Sequence, residues 1–207
     1  MRRHIPNALT MARLVMTGVL VIVLALFDAT TNASTTLLAI ALALFIGAAL
    51  TDALDGYLAR RWNVVSVFGR IVDPTADKLL VLGAFIMLAS PGFTRIGGES
   101  LTGVHSWMVV VILARELMVT VIRAVVEQEG SSFAAVWTGK LKMVVQSIAV
   151  PLILLVLVLS YEGALSLDKA RFNNAVIAWI VVVITIVSGI DYAYRGAIAL
   201  RKSEPVA

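Results

Sequence analysis

Six stretches of roughly 20 mostly apolar residues follow one another along this chain, with only short connectors between them. They cover residues 8–27, 36–59, 68–90, 105–127, 138–160 and 173–198. A helix of about 20 apolar residues crosses the hydrocarbon core of a bilayer, and soluble core helices do not need that length. Hydrophobic residues make up 60% of the chain and charged residues only 14%, a composition typical of membrane proteins. The sequence therefore predicts an all-α integral membrane protein with six transmembrane helices, organised as a single membrane domain over residues 1–207.

The placement of Lys and Arg predicts how these helices are oriented. Most basic residues lie at one end of the predicted spans, and only Arg95, Lys169 and Arg171 fall at the other end. Because the cytoplasmic ends of membrane helices are enriched in Lys and Arg, we expect both termini to face the cytoplasm. A bacterial plasma membrane suits such a chain. The excess of basic residues, 17 Lys and Arg against 13 Asp and Glu, follows from these ends and favours anionic lipid headgroups, so no nucleic-acid partner is expected.

An Asp-rich run occupies the end of the second stretch and the start of the third. It consists of Asp52, Asp55, Gly56, Ala59 and Arg60, followed by Gly69, Asp73 and Asp77. If both segments are helical, the acids of each lie on one face, and two helices joined by a short turn aim their carboxylates at each other. Ionised carboxylates that converge at low dielectric repel strongly unless cations lie between them. An all-oxygen ligand set suits Mg²⁺ or Mn²⁺, and the absence of Cys with only two His argues against zinc or copper.

The residues around these acids favour a ligand site over two alternatives. Gly56, Ala59 and Gly69 have almost no side-chain volume and leave room for a ligand to approach the backbone. Arg60 is a fixed positive charge that suits a phosphate group. One alternative is a set of structural ion pairs, which does not require small residues between the acids. The second is a cation transporter or channel, which explains the carboxylates but neither Arg60 nor Gly69.

The Asp-rich run resembles the signature of the CDP-alcohol phosphotransferase family at all eight fixed positions, from Asp52 to Asp77. Members of that family are polytopic enzymes with six transmembrane helices. Similarity to members that use glycerol 3-phosphate as the acceptor extends over residues 5–13, 51–61, 73–78, 114–117 and 137–142. The resemblance implies an enzyme that moves the phosphatidyl group of CDP-diacylglycerol to the 1-hydroxyl of sn-glycerol 3-phosphate and releases CMP. It also implies a homodimer, and the placement of Lys and Arg described above puts the Asp-rich run at the cytoplasmic side.

The resemblance further implies roles for the signature residues. The expected ligands of two Mg²⁺ or Mn²⁺ ions are Asp52, Asp55, Asp73 and Asp77. The expected CDP-diacylglycerol contacts are Gly56, Ala59, Arg60 and Gly69. Asp77 would also act as general base on the acceptor hydroxyl. The signature residues act on CDP-diacylglycerol, which the enzymes of this family with different acceptors share. Inositol phosphate, serine and phosphatidylglycerol, the last of which would give cardiolipin, therefore stay open as alternative acceptors.

An acceptor that carries a phosphate needs an anion site of its own, and the fourth and fifth stretches contain cations for it. The candidates are Arg115, Arg123, Lys140 and Lys142, with Arg123 and Lys142 preferred. Charges inside spans are costly and are usually functional. In a regular helix Lys142 shares a face with other polar residues, whereas Lys140 points elsewhere. The alternative is that these side chains pair with neighbouring helices or extend to the membrane interface.

Overall fold

The computed structural model describes the backbone of residues 5–29, 34–62, 67–95, 98–128 and 137–203. Side chains are described for residues 8–29, 35–57, 61, 75–95, 98–126, 128 and 137–199. The long helices are α1 (Ile5–Ala25), α2 (Ser34–Trp62), α3 (Val67–Leu88), α4 (Ser106–Gln128), α5 (Trp137–Tyr161) and α6 (Leu167–Ser203). They coincide with the six apolar stretches, so the all-helical prediction is confirmed over the described residues.

Within the described part of the chain, four helices are long and apolar enough to cross a membrane. Their candidate spans are Ala8–Ala25, Thr35–Tyr57, Trp137–Tyr161 and Leu167–Ala199. The remaining two helices, α3 and α4, each contain four charged residues, which include Asp73, Asp77, Arg115 and Arg123. Four of the eight charged residues in these two helices are thus predicted site residues. The count of six spans and the orientation of the termini stay predictions.

The helices form one bundle in which α1 packs against α2 and α3, while α5 packs against α2 and α6. The α4 helix lies mainly against α6. Large apolar side chains such as Leu38, Phe45, Phe85 and Ile153 are almost fully buried at these contacts. Other apolar side chains, for example Ile190 at 66% exposure, cover the outside of the bundle. An apolar exterior over a packed interior is the arrangement expected of helices that face lipid.

The connector between α3 and α4 is tied to α6 at the end of the bundle that lies away from the Asp-rich run. Thr102 donates a hydrogen bond from Oγ1 to the carbonyl of Leu88 at 2.8 Å, and Asn174 of α6 donates to the carbonyl of Leu101 at 3.0 Å. Gly103 has a φ of +65° and lies so close to Ala175 that a Cβ would be 2.4 Å from its Cα. These contacts set how α3, α4 and α6 enter the bundle, and therefore where their polar residues meet.

Candidate functional site

Two carboxylates of the Asp-rich run meet a buried arginine from α1. Nη1 of Arg13 lies 2.5 Å from Oδ1 of Asp52, and Nη2 of Arg13 donates a hydrogen bond to Oδ2 of Asp55. The side chain of Arg13 is 0% exposed and that of Asp55 is 6% exposed, whereas the Asp52 side chain is 44% exposed. Asp52 and Asp55 therefore converge on one positive charge, and the group is open on the side of Asp52.

Asp77 of α3 faces the same region of the bundle. It is close enough to Asp52, Arg13, Lys142 and Glu116 for their charges to act on its carboxylate. Asp77 also lines a cavity of about 280 Å³, together with residues of α4 and α5. The structure thus places Asp77 between the carboxylate pair of α2 and the cations of α4 and α5.

Four predicted site residues, Ala59, Arg60, Gly69 and Asp73, lie outside the described side chains. Their backbones belong to α2 and α3 as the sequence predicts. Gly56 is partly exposed in α2, next to the buried Asp55. The roles predicted for these residues stay predictions.

The described residues offer two carboxylates to a divalent cation but not a complete set of ligands. Among the side chains whose positions are described, Asp, Glu and His do not converge in groups of three or more that would hold a metal ion. The pair that does converge, Asp52 and Asp55, offers only carboxylate oxygens, which Mg²⁺ and Mn²⁺ prefer. Both residues already direct an oxygen at the same cationic group, that of Arg13. Asp73 and Asp77 would have to supply the further oxygens from α3.

A buried acid, Glu116 of α4, binds two of the four predicted acceptor cations. Its Oε1 accepts a hydrogen bond from Nη1 of Arg115 at 3.1 Å and another from Nζ of Lys142 in α5. Arg115 also donates to Oγ of Ser188 in α6 at 2.6 Å, and its guanidinium lies 5.2 Å from the ring centre of Tyr192. Arg115 is therefore held on three sides, while the described partner of Lys142 is Glu116 alone.

A second cavity, of about 550 Å³, lies between α4, α5 and α6 and reaches Lys78 of α3. Its polar lining comprises Lys78, Arg115, Glu116, Thr120, Arg123, Lys140, Lys142 and Tyr192. All four predicted acceptor cations thus border one space. Arg123 and Lys140 are exposed, whereas Arg115 and Lys142 are buried. Lys78, Glu116, Arg123 and Lys142 line both this cavity and the smaller one that contains Asp77, so the two cavities adjoin.

Contacts with α6 hold the start of α5, the part of the helix that contains Lys140 and Lys142. Thr138 at the start of α5 donates from Oγ1 to Oδ2 of Asp191 at 2.7 Å, and Arg195 donates to the other oxygen of Asp191 at 2.8 Å. Gly139 follows Thr138 and packs directly against Tyr192, since a Cβ at Gly139 would lie 2.6 Å from the Tyr192 hydroxyl oxygen. The first turn of α5, which precedes Lys142, is therefore anchored to α6.

Sequence reasoning missed three contributors to this region: Arg13, Lys78 and Tyr192. Arg13 was counted only among the basic residues that predict the orientation of the helices. A charged residue well inside an apolar stretch is also a signal of function. Lys78 donates from Nζ to Oγ1 of Thr120 at 3.0 Å and follows Asp77 directly in the sequence. Tyr192 is 3% exposed and accepts a hydrogen bond from Arg123 at 3.4 Å, which no local pattern indicates.

These features define a polytopic helical membrane protein whose polar site combines carboxylates with a cation-lined cavity. The chain belongs to the CDP-alcohol phosphatidyltransferase family, because the sequence model of that family matches residues 3–189. The family resemblance inferred from the eight signature positions is thereby confirmed.

Several relatives with assigned names match more than 90% of the chain. The chain is 37% identical to the CDP-diacylglycerol–glycerol-3-phosphate 3-phosphatidyltransferase of Bacillus subtilis (strain 168), over 97% of this chain and 98% of that protein. It is 38% identical to the probable phosphatidylglycerophosphate synthase of Mycobacterium tuberculosis (strain ATCC 25618 / H37Rv), over 93% and 81% respectively. A third relative, the CDP-diacylglycerol–glycerol-3-phosphate 3-phosphatidyltransferase of Rickettsia typhi, is 33% identical over 92% of this chain and 95% of its own length.

Proposed function

We propose that this protein transfers the phosphatidyl group of CDP-diacylglycerol to the 1-hydroxyl of sn-glycerol 3-phosphate, giving phosphatidylglycerophosphate and CMP. The observation that carries the proposal is that Asp77 and the cations Arg123 and Lys142 border the same cavity. A carboxylate that accepts a proton and cations that bind a phosphate are what an acceptor with both a hydroxyl and a phosphate requires. The named relatives support this acceptor, since their similarity extends over 97% and 92% of this chain.

In the proposed reaction, the 1-hydroxyl oxygen of glycerol 3-phosphate attacks the phosphorus that bears the diacylglycerol. The bond from that phosphorus to the oxygen of CMP breaks, and CMP leaves with the electron pair. Asp77 takes the proton of the attacking hydroxyl. Two Mg²⁺ or Mn²⁺ ions, when bound, would neutralise the diphosphate and stabilise the departing CMP. The residues proposed to hold them are Asp52, Asp55, Asp73 and Asp77.

Each substrate has its own proposed contacts. On the CDP-diacylglycerol side, Gly56, Ala59 and Gly69 would leave room for the cytidine, and Arg60 would bind the diphosphate. On the acceptor side, the phosphate-binding set comprises Arg115, Arg123, Lys140 and Lys142. Lys142 is buried next to the cavity that contains Asp77, so a phosphate bound there would keep the attached glycerol near the general base.

The distribution of Lys and Arg along the chain supports a placement in the membrane. We place six spans in the bacterial plasma membrane as one domain over residues 1–207, with both termini and the site at the cytoplasmic side. CDP-diacylglycerol is a lipid and would reach the site from the bilayer, while glycerol 3-phosphate would enter from the cytoplasm. On the basis of the family resemblance, we also propose that the protein is a homodimer.

The test is CMP release by the purified protein in detergent, with CDP-diacylglycerol and Mg²⁺ and one acceptor at a time. We expect release with glycerol 3-phosphate and none with inositol phosphate, serine or phosphatidylglycerol. EDTA should abolish release, and Mg²⁺ or Mn²⁺ in excess should restore it. Release with a different acceptor would keep the transfer chemistry and overturn the acceptor assignment. Absence of metal-dependent release with every acceptor would remove the proposed reaction altogether.

A further inference from the structure

Arg13 is a buried charge that the proposed reaction does not use. Its side chain is 0% exposed, so its guanidinium contacts neither water nor the outside of the bundle. The α1 helix holds it there, with Thr17 one turn later donating a hydrogen bond to the Arg13 carbonyl at 2.8 Å. A charge in such a place is costly unless it is paired, and its ion-pair partners are Asp52 and Asp55.

The pairing of Arg13 leaves part of its hydrogen-bonding capacity unused. Within the described residues, Nε and Nη1 of Arg13 are buried and make no hydrogen bond, although Nη1 lies 2.5 Å from Oδ1 of Asp52. A guanidinium has five N–H donors, and a buried donor without a partner weakens the arrangement that contains it. Arg13 therefore pairs with both carboxylates but leaves two of its nitrogen atoms without a hydrogen bond.

The same carboxylates are the ones proposed to bind a divalent cation. Arg13 contacts one oxygen of Asp52 and one of Asp55. A divalent ion bound to this pair, with Arg13 still in place, would put three positive charges against two negative ones. Like charges at such short range in a low-dielectric interior oppose each other strongly. Binding of the ion to these carboxylates and their pairing with Arg13 therefore weaken one another.

We propose that Arg13 is a positioning residue that holds Asp52 and Asp55 together in the metal-free protein and competes with the divalent cation for them. The inference rests on the metal site assigned under the proposed function. Arg13 offsets the repulsion between two acids that α2 places three residues apart, and the ion takes over that role when it binds. Because Asp52 is 44% exposed and Asp55 is buried, the ion approaches from the side of Asp52.

The experiment is Mn²⁺ binding to the purified full chain in detergent, measured from the electron paramagnetic resonance signal of free Mn²⁺. In Arg13→Gln the competing charge is gone, so we expect Mn²⁺ to bind more tightly, by about 5- to 150-fold, the usual range of coupling between two ligands. In EDTA the same variant should melt at a lower temperature than the unmodified protein, and Mn²⁺ should raise its melting temperature more. The matched control is Arg171→Gln, which removes an ion pair with Glu99 near the far end of the bundle and should leave Mn²⁺ affinity unchanged.

A second variant keeps the test decisive if Arg13→Gln does not fold. Arg13→Lys retains the charge but replaces a two-pronged group by a single ammonium, so a smaller gain in Mn²⁺ affinity is expected. If a variant that folds binds Mn²⁺ no more tightly than the unmodified protein does, the proposal is wrong. If the unmodified protein itself binds no Mn²⁺, the proposed metal site fails and this inference fails with it. Binding to the unmodified protein without a gain in the variants refutes the role of Arg13 alone.

Discussion

Replacing Lys142 by Met removes a buried positive charge from the cavity proposed to bind the acceptor phosphate, and it keeps an unbranched side chain. Lys142 is 5% exposed and lines both the larger cavity and the one that contains Asp77. A hydrogen bond to a charged group contributes about 1.5–3 kcal/mol. If Lys142 binds the phosphate of glycerol 3-phosphate, its loss should raise the KM for that acceptor by about 10- to 150-fold. The KM for CDP-diacylglycerol should stay within about twofold, since the contacts proposed for it lie on α2 and α3.

The structure indicates that the Lys142→Met protein will fold. Glu116 loses the Lys142 ammonium but keeps Arg115, whose Nη1 lies 3.1 Å from Oε1. The remaining acid is therefore still paired, which avoids the large cost of an isolated buried charge. Thermal melting in detergent would check this before kinetics are compared.

Lys140 provides the matched control because it lies two residues earlier in the same helix and lines the same cavity, but is exposed. An exposed charge pair contributes about 0–1 kcal/mol, so Lys140→Met should raise the acceptor KM at most about fivefold. The assay is the initial rate of CMP release in mixed micelles, with each substrate varied while the other is saturating. Equal effects of the two variants, or an equal rise in both KM values for Lys142→Met, would refute the assignment of Lys142 to the acceptor phosphate.

Two further variants test the general base and the anchoring of α5. Asp77→Asn should lower kcat by about 10²- to 10⁴-fold, the usual contribution of general base catalysis, while equilibrium binding of CDP-diacylglycerol persists; unchanged turnover would exclude Asp77 as the base. Gly139→Ala puts a Cβ 2.6 Å from the Tyr192 hydroxyl oxygen. We expect it to lower the free energy of unfolding by about 1–3 kcal/mol, measured by thermal melting in detergent. The control is Gly18→Ala, where a Cβ meets nothing within 4 Å, and equal melting of the two variants would contradict the packing argument.

Local sequence patterns were sufficient for the helices and for the faces that their polar residues share. Runs of apolar residues located the first five helices to within three residues of their ends and the sixth to within six, because helix formation and burial in lipid both depend on short-range composition. The spacing of Asp52 and Asp55 put both on one face of α2, and the structure has both contacting a single group. The prediction that Lys140 and Lys142 point different ways agrees with an exposed Lys140 and a buried Lys142.

The partners of these residues depended on how the helices pack. Arg13 meets Asp55 across 42 positions of sequence, and Arg115 meets Ser188 across 73. Helical periodicity specifies which residues share a face, but it contains no information about which face of another helix lies opposite. The sequence by itself therefore determined the membrane-type helical class, the Asp signature and the family. Only the tertiary structure decided that an arginine of α1 lies between the acids of α2 and that Glu116 binds Lys142, because both contacts arise where separate helices close on one another.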